Sequence, residues 1–79
     1  MPLQVLLAAT LRRFIPDYDP EKGISVSVEP GASVNRVIEI LGIPKEEVKI
    51  VMVDGIHSSL DHKLKGSERV AFFPPVGGG

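Results

Sequence analysis

Residues 30–44, PGASVNRVIEILGIP, predict the main helix of the chain and thereby limit the folds it can adopt. Ser33 is a favourable N-cap residue. The apolar residues that follow recur at i, i+3, i+4 and i+7, which indicates one buried helical face. Gly42 suits the left-handed position that ends a helix, and Pro44 prevents continuation. One helix of this kind can cover one face of a sheet. The apolar stripe consists of Val34, Val37, Ile38 and Leu41.

Apolar stretches on both sides of this helix predict strands. Residues 3–8, LQVLLA, are apolar at nearly every position, which is typical of a central strand buried on much of both faces. Residues 24–29, ISVSVE, alternate strictly and predict a half-buried strand antiparallel to the first. KIVMVDG at 49–55 predicts a strand that ends in an Asp-Gly turn. ERVAFFP at 68–74 predicts the last strand, closed by proline.

The connecting segments predict loops with little regular structure. Residues 10–23 combine Pro16, Pro20 and Gly23 with aspartates, which indicates a loop that begins with a short helical turn. KEEV at 45–48 predicts a single helical turn, and residues 57–65 leave room for a short edge strand. The order β, β, α, β, short β, β predicts an α+β fold in which a mixed sheet of four to five strands packs on one main helix. This is the β-grasp arrangement of ubiquitin-like domains, with residues 1–75 as the domain and 76–79 as a flexible tail.

Composition narrows the function classes. The 79 residues are 43% hydrophobic and 24% charged, as in an ordinary globular domain. The absence of cysteine excludes disulfides, thiolate metal sites and a cysteine nucleophile. A net charge of −1 gives no electrostatic reason to bind nucleic acid or an anionic membrane. The apolar run at 3–9 is too short to span a bilayer and follows no basic residue, so we expect neither a membrane segment nor a signal peptide, and a cytoplasmic protein.

The end of the sequence, AFFPPVGGG at 71–79, predicts the functional site. Adjacent strand residues point to opposite faces, so Phe72 and Phe73 cannot both lie in one core. Pro74 and Pro75 restrict the direction in which the chain leaves the sheet. The glycines after Val76 lack side chains and can enter a channel that admits only backbone. Six extended residues reach about 20 Å, far enough to enter a neighbouring active site.

The α-carboxylate of Gly79 is the reactive group that this tail would carry. A carboxylate must first be activated, for example as an acyl-adenylate. A sulfur donor can then displace the nucleotide to give a thiocarboxylate, or an amine can attack to give an amide. The alternative interpretation is a disordered end or a cloning scar, since both favour glycine.

Other polar clusters in the sequence have simpler interpretations than a functional site. His57, Asp61 and His62 fit no compact metal-ligand pattern and are better explained as a solvated loop. Arg12, Arg13 and Phe14 could contact a nucleotide or a partner, but a surface loop with one buried aromatic ring explains them more simply. The sequence contains no paired carboxylates, nucleophile–base pattern or phosphate-binding loop. We therefore expect no enzyme activity from this chain alone, and no bound cofactor or metal.

Over almost its whole length the chain resembles the ubiquitin-like sulfur carriers, and most of all the small subunit of molybdopterin synthase. The resemblance is weaker in EPGASVNRVIEILGIPKEEV and VMVDG and most specific in VAFFPPVGGG. Two positions depart from the family pattern: Asp54-Gly55 replaces the usual asparagine-glycine, and Gly66 lies one place early in KGSERV.

The resemblance implies a route for the tail. A ubiquitin-activating-type enzyme would adenylate Gly79 with ATP, and a sulfurtransferase would supply the sulfur of the thiocarboxylate. The tail would then enter the large synthase subunit and donate sulfur to a pterin precursor of the molybdenum or tungsten cofactor. The contacts with these partners would be made by Phe73, Pro74, Pro75, Val76, Gly77 and Gly78. The alternatives are a modifier joined to lysines by isopeptide bonds, a carrier for thiamine or cysteine synthesis, and a small binding module.

Overall fold

The computed structural model describes residues 2–19 and 21–75, which form a five-stranded sheet with one α-helix. Two short 3₁₀ helices lie in the connections, Ala9–Phe14 and Lys45–Glu47. None of the helices in these residues is long and apolar enough to cross a membrane. The strands and the helix, in chain order, are β1 (Leu3–Leu7), β2 (Ile24–Val26), α1 (Val34–Leu41), β3 (Ile50–Val53), β4 (Ile56–Ser58) and β5 (Arg69–Phe73).

The order of the strands across the sheet is β2-β1-β5-β3-β4. β1 pairs with β5 in parallel, with Leu7 opposite Phe72. The pairs β1–β2, β3–β5 and β3–β4 are antiparallel. The last strand in the sequence therefore lies at the centre of the sheet, between the first strand and the third. This architecture confirms the predicted α+β fold with a mixed sheet.

The predicted positions of β1 and β2 are confirmed, with two differences in detail. β1 lies inside the sheet, but its burial alternates: Leu3, Val5 and Leu7 are buried, whereas Gln4 and Leu6 are partly exposed. The prediction of burial on much of both faces is wrong because the helix covers only one face. β2 is antiparallel to β1 as predicted, but its pairing ends after three residues.

Helix α1 ends as the sequence predicts but begins differently. Gly42 adopts a left-handed φ of 73°, and its N–H donates to the carbonyls of Ile38 and Glu39. Ser33 occupies the N-cap position, yet its hydroxyl makes no capping hydrogen bond. The N–H groups of the first turn donate instead to carbonyls of the loop that follows β4, from Val34 to His62 and from Asn35 to Leu60, each at 3.0 Å. Backbone carbonyls of a distant loop thus satisfy groups that a helix leaves unpaired.

The core lies between α1 and the covered face of the sheet, and it includes two leucines from segments predicted as loops. Leu11, in the first 3₁₀ helix, is fully buried. Leu64 is 1% exposed, and its N–H and carbonyl bond to Ala32 and Gly31 at 2.7 Å. Both leucines belong to the same buried cluster as the strands and the helix. The other large buried side chains are Leu3, Val5, Leu7, Val34, Val37, Ile38, Val70 and Phe72.

A two-residue turn joins β3 to β4. Asp54 has a φ of 51° and Gly55 a φ of 82°. Two successive positive φ angles are the geometry that favours an Asp-Gly or Asn-Gly pair in a tight hairpin. The predicted turn is confirmed, and the edge strand β4 is short, as expected, but it begins at Ile56, one residue before the segment 57–65 in which the sequence predicts at most a short strand.

Candidate functional site

The end of β5 is held on both sides up to its last residue. The Phe72 carbonyl accepts a hydrogen bond from the Ala8 N–H at 3.1 Å, and the Phe73 carbonyl accepts one from the Lys49 N–H at 2.8 Å. Pro74 and Pro75 follow, and proline has no N–H with which to continue a ladder. The chain therefore leaves the sheet at one defined point, immediately after Phe73.

The two adjacent phenylalanines face opposite sides of the sheet, as predicted. Phe72 is fully buried in the core. Phe73 is 37% exposed on the other side, where Ile50 lies opposite it in β3. The Phe72 ring therefore stabilises the core, whereas the Phe73 ring is partly exposed at the surface.

The sheet face opposite the helix carries a band of apolar side chains that leads to the exit point. Strand register aligns Leu6, Ala71 and Met52 across β1, β5 and β3. These three residues are partly exposed, in contrast to their buried neighbours in sequence. An open groove of about 550 Å³ runs along this face from Asp54 and Arg69 to Phe73. We call it the sheet groove.

A second, smaller depression lies beside the exit point. It has a volume of about 190 Å³, and Leu6, Ala71 and Phe73 line it together with Arg12 from the first 3₁₀ helix and Tyr18 from the loop after that helix. We call it the exit notch. Ala71 and Phe73 also line the sheet groove, so the two depressions share a wall. Both depressions reach Phe73, the residue directly before the exit point.

Glu68 shapes the opposite end of β5. Its carboxylate accepts hydrogen bonds from the backbone N–H groups of Lys65, Gly66 and Ser67 at 2.8–3.1 Å. Burial tends to raise the pKa of Glu68, but the backbone hydrogen bonds outweigh burial and lower its pKa below the usual value. Gly66 has a φ of 120° in this turn. The departure of KGSERV from the family pattern thus corresponds to a turn closed by Glu68.

The predicted site residues divide into two groups. Phe73, Pro74 and Pro75 lie together at the exit point, where Phe73 and Pro75 are exposed and Pro74 is partly buried. Val76, Gly77, Gly78 and Gly79 lie outside the described residues, so the roles assigned to them remain predictions. Sequence analysis did not identify Leu6, Met52 or Tyr18 as site residues. Alternation marks the first two as facing away from the core, but only the register shows that they adjoin Phe73.

The histidine-containing segment contributes to the fold. His57 lies on edge strand β4, and the His62 carbonyl accepts the N–H of Val34. Asp61 Oδ1 accepts a hydrogen bond from Asn35 Nδ2 at 3.3 Å. Within residues 2–19 and 21–75, no three histidine, aspartate or glutamate side chains are grouped so that they could hold a metal ion.

A family model settles the relationship of this chain to known proteins. The model described as Mut7-C ubiquitin matches residues 2–77. The chain belongs to the Mut7-C ubiquitin family. Membership in this family confirms the resemblance to ubiquitin-like proteins that the sequence indicates. No curated protein matches the chain.

Solved structures with the same fold extend over the whole chain. One, from Pyrococcus furiosus, is provisionally named molybdopterin converting factor, subunit 1; it is 26% identical, with a TM-score of 0.72, and the match covers 96% of this chain and 99% of that one. Another is SAMP1 from Haloferax volcanii, 19% identical with a TM-score of 0.73 and complete coverage of both chains. These matches confirm the predicted β-grasp fold.

Proposed function

We propose that this Mut7-C ubiquitin protein is a sulfur carrier whose Gly79 carboxylate is converted to a thiocarboxylate. The observation that carries the proposal is the exit point. The carbonyls of Phe72 and Phe73, the last two residues of β5, accept hydrogen bonds from segments on opposite sides of the strand, and two prolines and a glycine-ending sequence follow directly. The resemblance to the Pyrococcus furiosus protein supports molybdopterin synthesis as the pathway that receives the sulfur.

The chemistry requires a partner for each step. A carboxylate oxygen of Gly79 attacks the α-phosphorus of ATP and releases pyrophosphate, which leaves an acyl-adenylate. Sulfide then attacks the acyl carbon and displaces AMP, which leaves the thiocarboxylate. When the persulfide of a sulfurtransferase attacks instead, AMP leaves and an acyl disulfide forms; a second thiol then reduces it, which releases the thiocarboxylate and leaves a disulfide on the donor. During transfer the thiocarboxylate sulfur bonds to the acceptor, and water then attacks the acyl carbon, which breaks the carbon–sulfur bond and regenerates the carboxylate. The chain supplies the reacting carbonyl and the surfaces that present it, whereas the ATP site belongs to the adenylating enzyme.

The test is made on the full chain with an adenylating enzyme of the ubiquitin-activating type from the same genome. The reactants are ATP and sodium sulfide, and intact-mass spectrometry is the readout. We expect a mass gain that matches replacement of one oxygen by sulfur. Omission of ATP, or removal of Gly79, should abolish the gain. Adducts to lysines of other proteins, without a thiocarboxylate, would instead indicate a protein modifier.

The proposal also requires that the native chain end at Gly79. Intact-mass measurement of the protein purified from its natural host tests this requirement independently. A mass that corresponds to residues beyond Gly79 would contradict the proposal, because an internal glycine has no free carboxylate.

A further inference from the structure

Arg12 and Tyr18 complete the edge of β1 where β2 no longer reaches. β2 pairs with β1 only as far as Val5, opposite Ile24. Leu7 lies beyond this pairing and uses side-chain partners instead. Its N–H donates to the hydroxyl oxygen of Tyr18 at 2.7 Å, and its carbonyl accepts from Arg12 Nε at 3.1 Å. These two bonds fix both side chains beside the exit point.

The same arrangement leaves most of the Arg12 guanidinium available. The group lies 5.8 Å from the centre of the Tyr18 ring. Of its five N–H donors, the Nε–H is used by Leu7, and the two terminal amino groups can still bind a carboxylate in a fork. In the part of the chain that the structure describes, the ion pairs are Arg13–Glu47 and Arg36–Glu39, so Arg12 has no acidic partner there.

Restraint of Arg12 lowers the entropic cost of binding an anion. A free arginine loses side-chain entropy when it forms an ion pair, which is one reason why exposed pairs contribute little. Arg12 has already lost part of that freedom through its bond to Leu7. A carboxylate that approaches the exit notch therefore meets a preorganised donor.

The exit notch supplies an apolar surface next to this donor. Leu6, Ala71 and the exposed ring of Phe73 line the same depression as Arg12. An apolar side chain can contact these residues while a neighbouring carboxylate contacts the guanidinium. The exit notch thus combines a cationic hydrogen-bond donor and an apolar surface within one small depression.

We propose that the exit notch docks an acidic–apolar pair of side chains on the protein that receives the tail. The apolar side chain contacts Leu6, Ala71 and Phe73, and the carboxylate binds Arg12. Only the identity of the partner rests on the proposed function. The pair would set the position from which the tail enters the partner, since the notch adjoins the exit point.

The direct test is a titration of the full chain, labelled with ¹⁵N, followed by NMR. The probe is the dipeptide acetyl-Leu-Asp-amide, and its control is acetyl-Leu-Asn-amide, which lacks the charge. We expect saturable shifts at the Arg12 Nε–H and at the amides of Tyr18, Ala71 and Phe73. The aspartate peptide should bind about fivefold more tightly, the size expected of an exposed ion pair.

Two arginine variants separate local contact from net charge. Arg12→Gln should remove the preference for the aspartate peptide. Arg13→Gln makes the same charge change one residue away, on an arginine whose side chain is 64% exposed, and should keep the preference. Equal effects of the two variants, or peptide binding unchanged in Arg12→Gln, would overturn the proposal. The proposal would also be overturned if sodium acetate shifted the same resonances with the same affinity as the aspartate peptide, because the site would then bind any anion.

Truncation after Pro75 tests whether the chain's own tail occupies the notch. We expect the truncated chain to bind the aspartate peptide with unchanged affinity. Tighter binding after truncation would identify the tail carboxylate as the occupant and would overturn docking by a partner.

The adenylation reaction gives a second and independent readout. Arg12→Gln should raise the KM for the carrier several-fold and leave kcat unchanged, and Arg12→Lys should fall between wild type and Arg12→Gln. An unchanged KM in Arg12→Gln would contradict the docking role while the proposed function stands. If the wild-type chain is never adenylated but prefers the aspartate peptide, the proposed function is wrong, whereas docking of an acidic–apolar pair at the exit notch is still supported.

Discussion

The N–H of Lys49 donates to the carbonyl of Phe73 at 2.8 Å, which joins the segment before β3 to the last residue of β5. On the other side of β5, the Ala8 N–H bonds to Phe72. The final strand is therefore clamped at its carboxyl end, and the first residues that escape the clamp are prolines. This relationship makes the position of the exit point a property of the folded sheet.

The adjacent phenylalanines should respond differently to truncation. Phe72→Ala removes a fully buried ring and should lower the free energy of unfolding by about 3–5 kcal/mol. Phe73→Ala removes a partly exposed ring and should cost no more than about 1 kcal/mol. Urea unfolding measures both. Phe73→Ala should nevertheless raise the KM in the adenylation assay, and equal destabilisation by the two variants would contradict the division of roles.

Glycine-to-alanine variants should distinguish backbone strain from steric overlap. Gly55 and Gly23 both have positive φ angles, of 82° and 74°. A Cβ at Gly55 meets nothing within 4 Å, so Gly55→Ala should cost about 1–2 kcal/mol through strain alone. A Cβ at Gly23 would overlap the Val5 carbonyl oxygen, and Gly23→Ala should cost at least about 3 kcal/mol. Thermal melts would contradict this prediction if the order were reversed.

Replacement of Asp54 by asparagine should change little. Asp54 has a φ of 51°, which asparagine adopts readily. Its Oδ1 accepts the Arg69 N–H at 2.9 Å, and an asparagine carbonyl oxygen can accept the same bond. We expect the free energy of unfolding to shift by less than about 0.5 kcal/mol. A larger loss would show that the charge of Asp54 matters to the hairpin.

Glu68 should contribute stability that depends on pH. Because the folded-state pKa of Glu68 is lowered below the usual value of a glutamate, the contribution is present above that usual value and is lost as the pH falls through the folded-state pKa. Glu68→Gln removes the charge, so it should lower the melting temperature by a few degrees at pH 7. The difference between the two proteins should shrink below about pH 4. A difference that stays constant from pH 7 to pH 3 would contradict the assigned cause.

The sequence predicts features that depend on neighbouring residues. The stripe from Val34 to Leu41 identifies the helix, and Asp54-Gly55 identifies the turn, because each pattern encodes its own backbone geometry. The opposite orientations of Phe72 and Phe73 follow from strand alternation alone. These are confirmed by the structure.

Features that depend on distant pairing could not be predicted in the same way. Leu64 lies in a polar segment, and its burial follows from backbone bonds to Gly31 and Ala32 that no local pattern encodes. The loop carbonyls that cap α1 are equally non-local. Arg12 and Tyr18 join the exit notch because β2 stops opposite Val5, which is a matter of strand register. The sequence therefore places the candidate site at the end of β5. It does not predict that Arg12 and Tyr18 line that site.

The most direct measurement of the central claim is the intact mass of the full chain after incubation with the adenylating enzyme, ATP and sulfide. We expect a single mass gain equal to the exchange of one oxygen for sulfur, located by fragmentation at Gly79. The chain without Gly79 should show no gain and should melt at the same temperature as the wild type. An unmodified full-length chain, or sulfur located at any other residue, would contradict the account.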